Sequence, residues 1–251
     1  MLKEPVHPPE PNNIAFSEAG YPLRSYRLKR VMDVGLAILC LVLVTPLLAL
    51  LGVAIVLESG RPILFKARRV GCDGRLFTVC KLRTMAQGAQ AQLEALAAQN
   101  VGEGMVKIAD DPRVTGVGRW LRRFSLDELP QLWNVLHGEM SLVGPRPHDA
   151  SELVLSSPEH RERLSVKPGL TGLWQIRARS DPSLASRVYW DLRYVASCSL
   201  SLDLRIMLET IPAVLSGLGS RVETPNSHGP RTLVTSLGPL PPPRPIRSDP
   251  R

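Results

Sequence analysis

The chain has 251 residues, enough for one ordinary domain together with a membrane segment and tails. Its formal net charge of +8 and pI of about 9.7 favour an anionic partner, such as nucleic acid, an acidic lipid surface or a phosphorylated substrate. The four cysteines include no C-x-x-C pair, so the sequence indicates neither a zinc site nor a disulfide framework.

Both ends of the chain are polar and rich in proline. Residues 1–23 lack the apolar core of a signal peptide. Residues 221–251 contain a cluster of prolines that is too polar and too restricted to bury a core. We therefore predict two disordered tails.

One stretch is apolar enough to enter a membrane. Residues 34–57 are 24 uncharged positions; as a straight helix they would measure about 36 Å, more than the ~30 Å hydrocarbon core of a bilayer. Pro46 in the middle removes a helical hydrogen bond, and Thr45 can turn its hydroxyl back to the Leu41 carbonyl and deepen the bend.

The charges on either side of this stretch bear on its topology. Basic residues mark the cytoplasmic side of a membrane segment, and here four precede the stretch and four follow it. Both observations predict that residues 24–58 form a re-entrant helix-hairpin, broken at Thr45 and Pro46, with both ends in the cytosol. A spanning helix kinked at Pro46 is the alternative.

Residues 59–220 have the mixed pattern of a water-soluble domain. Extended segments are predicted at 63–66 and 77–82, with a turn at 71–74 between them. Residues 86–99 are rich in alanine, glutamine and leucine, which predicts a helix.

Two further helices complete the prediction. One is expected to begin near Ser125, and residues 200–218 match an amphipathic helix that lies on the bilayer or packs on the domain. The expected fold class is therefore α+β, mostly helical, with interfacial amphipathic helices and few short strands.

The densest group of polar residues surrounds two adjacent carboxylates. Ser125 and Glu128 match a capping box, in which Ser125 caps a helix and Glu128 reaches back to it. Capping alone would account for Glu128, but it does not require Asp127. The positive end of a helix dipole would keep the Asp127 carboxylate ionised, able to hold a divalent cation or to attack phosphorus.

Arginines lie on both sides of these carboxylates in the sequence. Arg146 stands between two prolines, which restrict the backbone and present its guanidinium at low entropic cost. Guanidinium groups match phosphate oxygens two at a time. A general basic face would also be rich in arginine, but it gives no reason for the rigid turn at Arg146. The other arginines of the group are Arg113, Arg119, Arg122 and Arg123.

Five short blocks occur in a fixed order along the chain. They resemble the signature blocks of the bacterial sugar transferases, the monotopic polyprenyl-phosphate phosphoglycosyl transferases, from about Tyr26 to Leu218. The blocks are Lys81-Leu82-Arg83-Thr84-Met85, Asp111-Pro112-Arg113-Val114-Thr115, Ser125-Leu126-Asp127-Glu128-Leu129-Pro130-Gln131-Leu132, Ser141-Leu142-Val143-Gly144-Pro145-Arg146-Pro147 and Lys167-Pro168-Gly169-Leu170-Thr171-Gly172.

The resemblance implies a Mg²⁺-dependent reaction in two steps at the bacterial inner membrane, with the catalytic domain in the cytoplasm. Asp127 would attack the β-phosphate of a UDP-sugar, release UMP and hold the phosphosugar until polyprenyl phosphate takes it. Asp127 would also bind the metal, and Glu128 would be its partner in catalysis. The pathway would be exopolysaccharide, capsule or O-antigen assembly.

The resemblance and the basic residues around the carboxylates also give the binding residues. Asp191 would support the site. The partners would be a UDP-sugar, polyprenyl phosphate and the lipid bilayer, not nucleic acid; a homo-oligomer is compatible with the sequence, which does not fix the oligomeric state. The expected phosphate- or nucleotide-binding residues are Lys81, Arg83, Arg113, Arg122, Arg146 and Arg179.

The chain departs from the family pattern at several positions. Ala67 stands where glutamine is usual, and Leu82 replaces a common phenylalanine. In the block that ends at Arg179, Arg177 replaces asparagine and Ala178 replaces glycine, so the loop geometry and the donor preference differ if that glycine needs a positive φ. Arg179 is retained, so we expect activity, with a modest preference for a hexose donor.

Three other functions compete with this interpretation. A non-catalytic basic domain on a membrane anchor would bind anionic lipids or nucleic acid and would tolerate Asp127→Asn. The polytopic phosphoglycosyl transferases need many membrane spans, and the sequence offers one candidate. A kinase or NTPase would need a phosphate loop of the G-x-x-x-x-G-K type, which the sequence lacks.

Overall fold

A computed structural model describes residues 23–93, 95–96, 99, 108, 110–149, 158–179, 181 and 183–217. The predicted tails lie outside the described residues, apart from Leu23. The described part of the chain is mostly helical with a few short strands, as predicted.

A single long helix, α1 (Leu23–Ser59), opens the fold and contains Pro46. It is long and apolar enough to cross a membrane, and about half of its apolar side chains are exposed. The hydroxyl of Thr45 donates a 2.6 Å hydrogen bond to the Leu41 carbonyl, as predicted. In the structure α1 is one continuous helix through Pro46, so the re-entrant helix-hairpin broken at this proline stays a prediction.

An antiparallel β-hairpin follows α1. Strand β1 (Leu64–Val70) pairs with β2 (Leu76–Leu82), in a register that joins Leu64 to Leu82. A 3₁₀ turn at Cys72–Gly74 connects the strands, with Gly74 at φ +75°. The predicted strands and turn are thus confirmed, and the hairpin places Lys81 near the end of β2.

The segment between β2 and the adjacent carboxylates Asp127 and Glu128 differs from the prediction. Residues 86–99 do not form an α-helix where the structure describes them; they form successive turns, and several N–H groups bond to the carbonyl three residues earlier, such as Leu93 to Gln90. Gly88 adopts φ +75°, which an α-helix does not accommodate. A composition that favours a helix is overridden by this turn.

Three short helical elements hold the central motif, which is the segment around Asp127 and Glu128. Helix α2 (Gly116–Arg123) begins at Thr115, whose hydroxyl accepts a hydrogen bond from the Gly118 N–H. A 3₁₀ helix (Leu126–Gln131) and then α3 (Leu132–His137) follow. The predicted helix near Ser125 is therefore present in two parts, and α2 is a separate helix before it.

The remaining described elements are two short strands and four helices. Strand β3 (Ser141–Val143) pairs in parallel with β4 (Gly169–Thr171), and the amphipathic helix predicted at 200–218 is α7 (Leu200–Ser216). The other helices are α4 (Pro158–Arg163), α5 (Leu173–Arg177) and α6 (Leu184–Ser197).

The first half of α1 packs on the main hydrophobic core. Ala37 is fully buried against side chains from β2, α3, β3, α6 and α7, including Val79, Val135, Tyr194 and Ile206. Burial of apolar surface is the dominant stabilising contribution to such packing. This part of α1 is therefore built into the domain.

Buried polar contacts fix the same half of α1. Lys29 Nζ donates to Asp203 Oδ2 of α7 at 2.7 Å and to the Val143 carbonyl at 3.2 Å. Asp33 accepts from the hydroxyl of Ser141 at 2.8 Å. These contacts hold the start of α1 against β3 and α7.

The second half of α1 packs in a separate buried cluster. Leu51 and Ile55 form a second buried cluster with Leu82 of β2 and Leu121 of α2. Both halves of α1 therefore contact the same domain.

Candidate active site

The two carboxylates of the central motif lie at the start of the 3₁₀ helix. Ser125 precedes them in a left-handed conformation, φ 55°, and its hydroxyl makes no cap and has no partner among the described residues. The predicted capping box is therefore wrong, because a left-handed Ser125 does not have the extended backbone that an N-cap requires. Glu128 is free of that role, and its carboxylate points to cations instead.

Glu128 is held by two cations from different elements. Lys81 Nζ donates to its Oε1 at 2.9 Å, and Arg146 donates to Oε1 at 2.7 Å and to Oε2 at 3.3 Å. Burial acts to raise the pKa of Glu128, but the charges and hydrogen bonds of Arg146 and Lys81 hold that pKa well below its ordinary value. Glu128 is therefore a fixed anion.

Asp127 is in the opposite situation. Its side chain is buried, and none of the described basic residues forms an ion pair with it. Burial and then the charge of Glu128 raise the pKa of Asp127 to about 6, against the opposing charges of Lys81, Arg122 and Arg146. At neutral pH the Asp127 carboxylate is thus largely ionised, and no bond to a neighbouring cation holds it.

Two further arginines lie near this pair. Arg122 of α2 donates from Nε to the hydroxyl of Thr84 at 2.9 Å. Burial lowers the pKa of both Arg122 and Arg179, while the charges of Asp127 and Glu128 oppose that shift. The structure therefore brings Lys81, Arg122, Arg146 and Arg179 together around the carboxylates.

Two of the predicted binding residues are engaged elsewhere. Arg83 donates to the carbonyls of Ser59 and Gly60, at the end of α1. Arg113 is buried and makes a two-pronged pair with Asp111 through Nε at 2.9 Å and Nη2 at 2.6 Å. Both guanidiniums have structural partners in this state.

Asp191 lies behind the Arg146 turn. The carboxylate of Asp191 is fully buried and accepts hydrogen bonds from Arg163, whose Nη2 also lies 3.5 Å from the Arg146 carbonyl oxygen and contacts the His148 ring. Burial raises the pKa of Asp191, and the charge of Arg163 opposes the rise. Sequence reasoning missed Arg163 and His148; proximity of His148 to the Arg146 block was the one available signal.

The donor set around the carboxylates fits Mg²⁺ in one way only. Among the residues that the structure describes, no three His, Cys, Asp or Glu side chains are grouped to form a metal site by themselves. Mg²⁺ usually keeps several waters and takes one or two carboxylates together with the phosphates of a substrate. Asp127 can supply one such carboxylate, so the residues fit an ion that arrives with a diphosphate.

Comparisons with known proteins add an independent result. The family model described as bacterial sugar transferase matches residues 24–217. The exopolysaccharide production protein ExoY of Sinorhizobium fredii is 45% identical over 197 residues, which cover 76% of this chain and 87% of ExoY.

Longer proteins match over a similar share of this chain. The undecaprenyl-phosphate galactose phosphotransferase of Salmonella typhimurium is 41% identical over 193 residues, 75% of this chain but only 40% of that protein. The UDP-glucose:undecaprenyl-phosphate glucose-1-phosphate transferase of Caulobacter vibrioides is 43% identical over 196 residues, 75% of this chain and 70% of its own length. The share of this chain that is matched is thus 75–76% for the short relative and for the longer ones.

Proposed function

The chain belongs to the bacterial sugar transferase family, and from that premise we propose that it transfers a sugar 1-phosphate from a UDP-sugar to polyprenyl phosphate and releases UMP. The observation that carries the proposal is the contrast between adjacent carboxylates: Glu128 is bound by Lys81 and Arg146, whereas Asp127 is buried beside them without such a bond. One carboxylate is fixed and the other is available to react.

In the first step, an Asp127 carboxylate oxygen forms a bond to the β-phosphorus. The bond between that phosphorus and the oxygen bridging to the α-phosphate breaks, and UMP leaves with the electron pair. Because Asp127 is ionised above a pKa of about 6, it needs no separate base at neutral pH. The guanidiniums of Arg146, Arg122 and Arg179 reduce the repulsion between the carboxylate and the diphosphate.

In the second step, an oxygen of polyprenyl phosphate attacks the same phosphorus. The bond to Asp127 breaks, the carboxylate is restored, and the product is a polyprenyl diphosphate sugar. Glu128 stays anionic because of Lys81 and Arg146, so its role is to orient these cations toward the phosphates. Each residue that acts in the first step is thereby returned to its starting state.

Mg²⁺ is the proposed cofactor, with Asp127 and the phosphates of the donor as its ligands. When bound, the ion neutralises charge on the phosphate oxygens. The basic residues perform the same task from fixed positions, so they orient the diphosphate for attack. Asp127 can hold the ion and act as nucleophile through its two oxygens.

The site operates at a membrane surface through a re-entrant α1. Lys29 at the start of α1 binds Asp203, and Glu58 at its end accepts hydrogen bonds from the Gly116 and Val117 backbone N–H groups. A straight helix of the 34 residues Tyr26–Ser59 would measure about 51 Å, and one domain cannot hold both ends from opposite faces of a bilayer. These contacts favour a hairpin bent at Pro46, with both ends on the cytoplasmic face.

Helix α7 supports the same placement. Its side chains Leu204, Leu208, Ile211 and Leu215 are at least half exposed, while Asp203 and Ile206 on the other side are buried in the domain. An exposed apolar stripe of this kind lies in the lipid headgroup region. We therefore place the catalytic domain on the cytoplasmic surface of the inner membrane.

The proposed pathway is the membrane-bound start of exopolysaccharide or related glycan assembly. Relatives of this chain carry names that specify galactose or glucose donors and exopolysaccharide production. A UDP-hexose is accordingly the proposed donor class. Testing purified protein with a panel of UDP-sugars and measuring UMP identifies the sugar.

The deciding experiment traps the covalent intermediate. The wild-type chain in lipid nanodiscs, given a UDP-sugar and Mg²⁺ without polyprenyl phosphate, should release one equivalent of UMP and gain the mass of a phosphosugar on Asp127. Asp127→Asn should lose both signals, with turnover lower by about 10³-fold or more. Asp110→Asn, on an exposed turn, is the matched control and should behave as wild type.

The outcomes separate this function from its rival. Continued turnover without mass on Asp127 would refute the covalent step, and turnover that survives chelation would refute the metal role. A non-catalytic anchor that binds anionic lipids would release no UMP from any donor and would keep its lipid binding in Asp127→Asn.

A further inference from the structure

A buried arginine that the proposed reaction does not use lies behind the turn at Arg146. Arg163, the last residue of α4, is 2% exposed and forms an ion pair with Asp191, which is 1% exposed. Taking two charges out of water is costly, and apolar residues of similar volume often stabilise a protein as well. The function of this pair is therefore to be sought in what else it contacts.

These further contacts converge on the segment that carries Arg146. Arg163 Nη2 contacts the ring nitrogen Nε2 of His148 and lies 3.5 Å from the Arg146 carbonyl oxygen. A hydrogen bond from the Arg146 backbone N–H is among the contacts that lower the pKa of Asp191. The two members of the ion pair therefore contact the two polar groups of the Arg146 backbone.

Other parts of the domain hold the residues on either side of Arg146. The Gly169 N–H of β4 donates to the Pro145 carbonyl at 2.8 Å, and the Val70 N–H of β1 donates to the His148 carbonyl at 3.1 Å. The turn is thus fixed before and after Arg146 by two strands. The ion pair contacts the peptide groups between these two points.

The backbone position of Arg146 matters because of what its side chain contacts. The Arg146 guanidinium donates to both oxygens of Glu128, at 2.7 and 3.3 Å, although the Arg146 side chain is only partly buried. A two-pronged bond of this kind demands a defined geometry. A displacement of about 1 Å in such a group can slow a reaction about 10²-fold. A device that fixes the Arg146 backbone therefore acts on the candidate active site.

We infer that Arg163 is a positioning residue for the proposed transfer, because it holds the backbone of Arg146 at the place from which the Arg146 guanidinium reaches Glu128. The inference rests on the proposed function. Among the described residues, the hydrogen-bonding contacts of the Arg163 side chain are with Asp191, His148 and Arg146 and not with the two adjacent carboxylates. Arg163 therefore acts through Arg146.

The test uses the full chain in lipid nanodiscs and two measurements: calorimetric binding of inorganic diphosphate, and UMP release from a UDP-sugar. Arg163→Lys keeps a charge opposite Asp191 but loses the planar fork that serves several acceptors at once. It should weaken diphosphate binding and lower kcat/KM, each by about tenfold. Arg161→Gln, at an exposed position of the same helix, is the matched control and should behave as wild type.

A double-mutant cycle separates positioning from a general loss of stability. Once the guanidinium of Arg146 is removed, a change at Arg163 has nothing left to displace. In an Arg146→Gln background, Arg163→Lys should therefore change diphosphate binding by less than about twofold. The same loss in both backgrounds, or no loss with Arg146 intact, overturns the inference. The other cations of the site remain in that background, so binding stays measurable; they are Lys81, Arg122 and Arg179.

A second variant serves if Arg163→Lys does not fold. His148→Phe keeps a planar ring and leaves the ion pair of Arg163 with Asp191 intact, but it removes the ring nitrogen that Arg163 contacts. It should weaken diphosphate binding by about threefold or more when Arg146 is present. In the Arg146→Gln background the loss should disappear, and a loss that persists there contradicts the inference.

Failure of the proposed function gives a different result. In that case the diphosphate measurements would keep their dependence on Arg163 and Arg146, but wild type would release no UMP from a UDP-sugar. If wild type releases UMP and Arg163→Lys matches it in both measurements, the proposed function stands and the positioning role is wrong.

Discussion

Lys81 Nζ lies 2.9 Å from Glu128 Oε1, the same oxygen that accepts the 2.7 Å bond from Arg146. Lys81 thus donates a hydrogen bond to Glu128, and its charge also acts on the neighbouring Asp127. That charge is the largest of those that oppose the raised pKa of Asp127. A residue bonded to one carboxylate therefore sets the ionisation of the other.

Lys81→Met is expected to move the acid limb of the pH profile upward. Asp127 must be ionised to attack, so kcat/KM of wild type should fall as the pH drops through about 6. Removing a charge that lowers the pKa of Asp127 raises it further, and the fall should begin at a higher pH. UMP release measured between pH 5 and 8 gives the profile.

Lys66→Met is the control for this prediction, because Lys66 is exposed on β1. The acid limb of the pH profile of Lys66→Met should coincide with that of wild type. A limb that stays in place in Lys81→Met would show that a group other than Asp127 controls the acid side.

The β1–β2 hairpin and the pair of adjacent carboxylates could be predicted because their sequence signals are local. The extended segments on either side of the turn at 71–74 indicated β1 and β2, and the block around Asp127 predicted which carboxylates act in the proposed reaction. The capping box failed because local spacing does not reveal that Ser125 is left-handed.

Contacts between distant residues could not be predicted. Asp33 and Ser141 are 108 positions apart, and Lys29 and Asp203 are 174 apart. A single sequence carries no local pattern for such pairs. The partner of Glu58, at the start of α2, was hidden for the same reason.

Gly169→Ala should destabilise the domain. A Cβ there would lie 2.1 Å from the Gly144 backbone nitrogen and 2.4 Å from the Thr171 carbonyl oxygen. Backbone atoms cannot yield as a side chain can, so we expect a loss of about 1–3 kcal/mol or more in the free energy of unfolding. Thermal unfolding in detergent measures it.

Gly35→Ala is the matched control, since an added Cβ in α1 meets nothing within 4 Å. It should leave the Tm unchanged or slightly higher. Equal Tm values for Gly169→Ala and wild type would mean that β3 and β4 can separate without cost.

Both ends of α1 should be accessible from one face of the membrane. In a variant without native cysteines, Arg27→Cys and Arg61→Cys place single thiols at exposed positions on either side of the apolar stretch. The contacts of Lys29 and Glu58 with one domain predict that an impermeant maleimide labels neither in intact cells and both after permeabilisation. External labelling of Arg61→Cys alone would establish a spanning helix.

Glu58→Ala should weaken the site from the end of the membrane helix. Glu58 accepts hydrogen bonds from the Gly116 N–H at 2.7 Å and the Val117 N–H at 2.9 Å, the first two residues of the helix that carries Arg122. Without these bonds α2 is less firmly fixed, and Arg122 is presented less often near Asp127. We expect kcat/KM to fall by about tenfold, since small displacements of a positioning group reduce rates strongly.

Three comparisons separate positioning from simple instability. Glu58→Gln keeps one acceptor and should fall between wild type and Glu58→Ala. Leu57→Ala, beside it on the same helix and 82% exposed, should retain full activity. If Glu58→Ala lowers Tm but leaves kcat/KM unchanged at a temperature where it is folded, the junction stabilises the chain without orienting α2. A graded loss of kcat/KM at constant Tm would show that the contact of Glu58 with the start of α2 orients the site in addition to stabilising the chain.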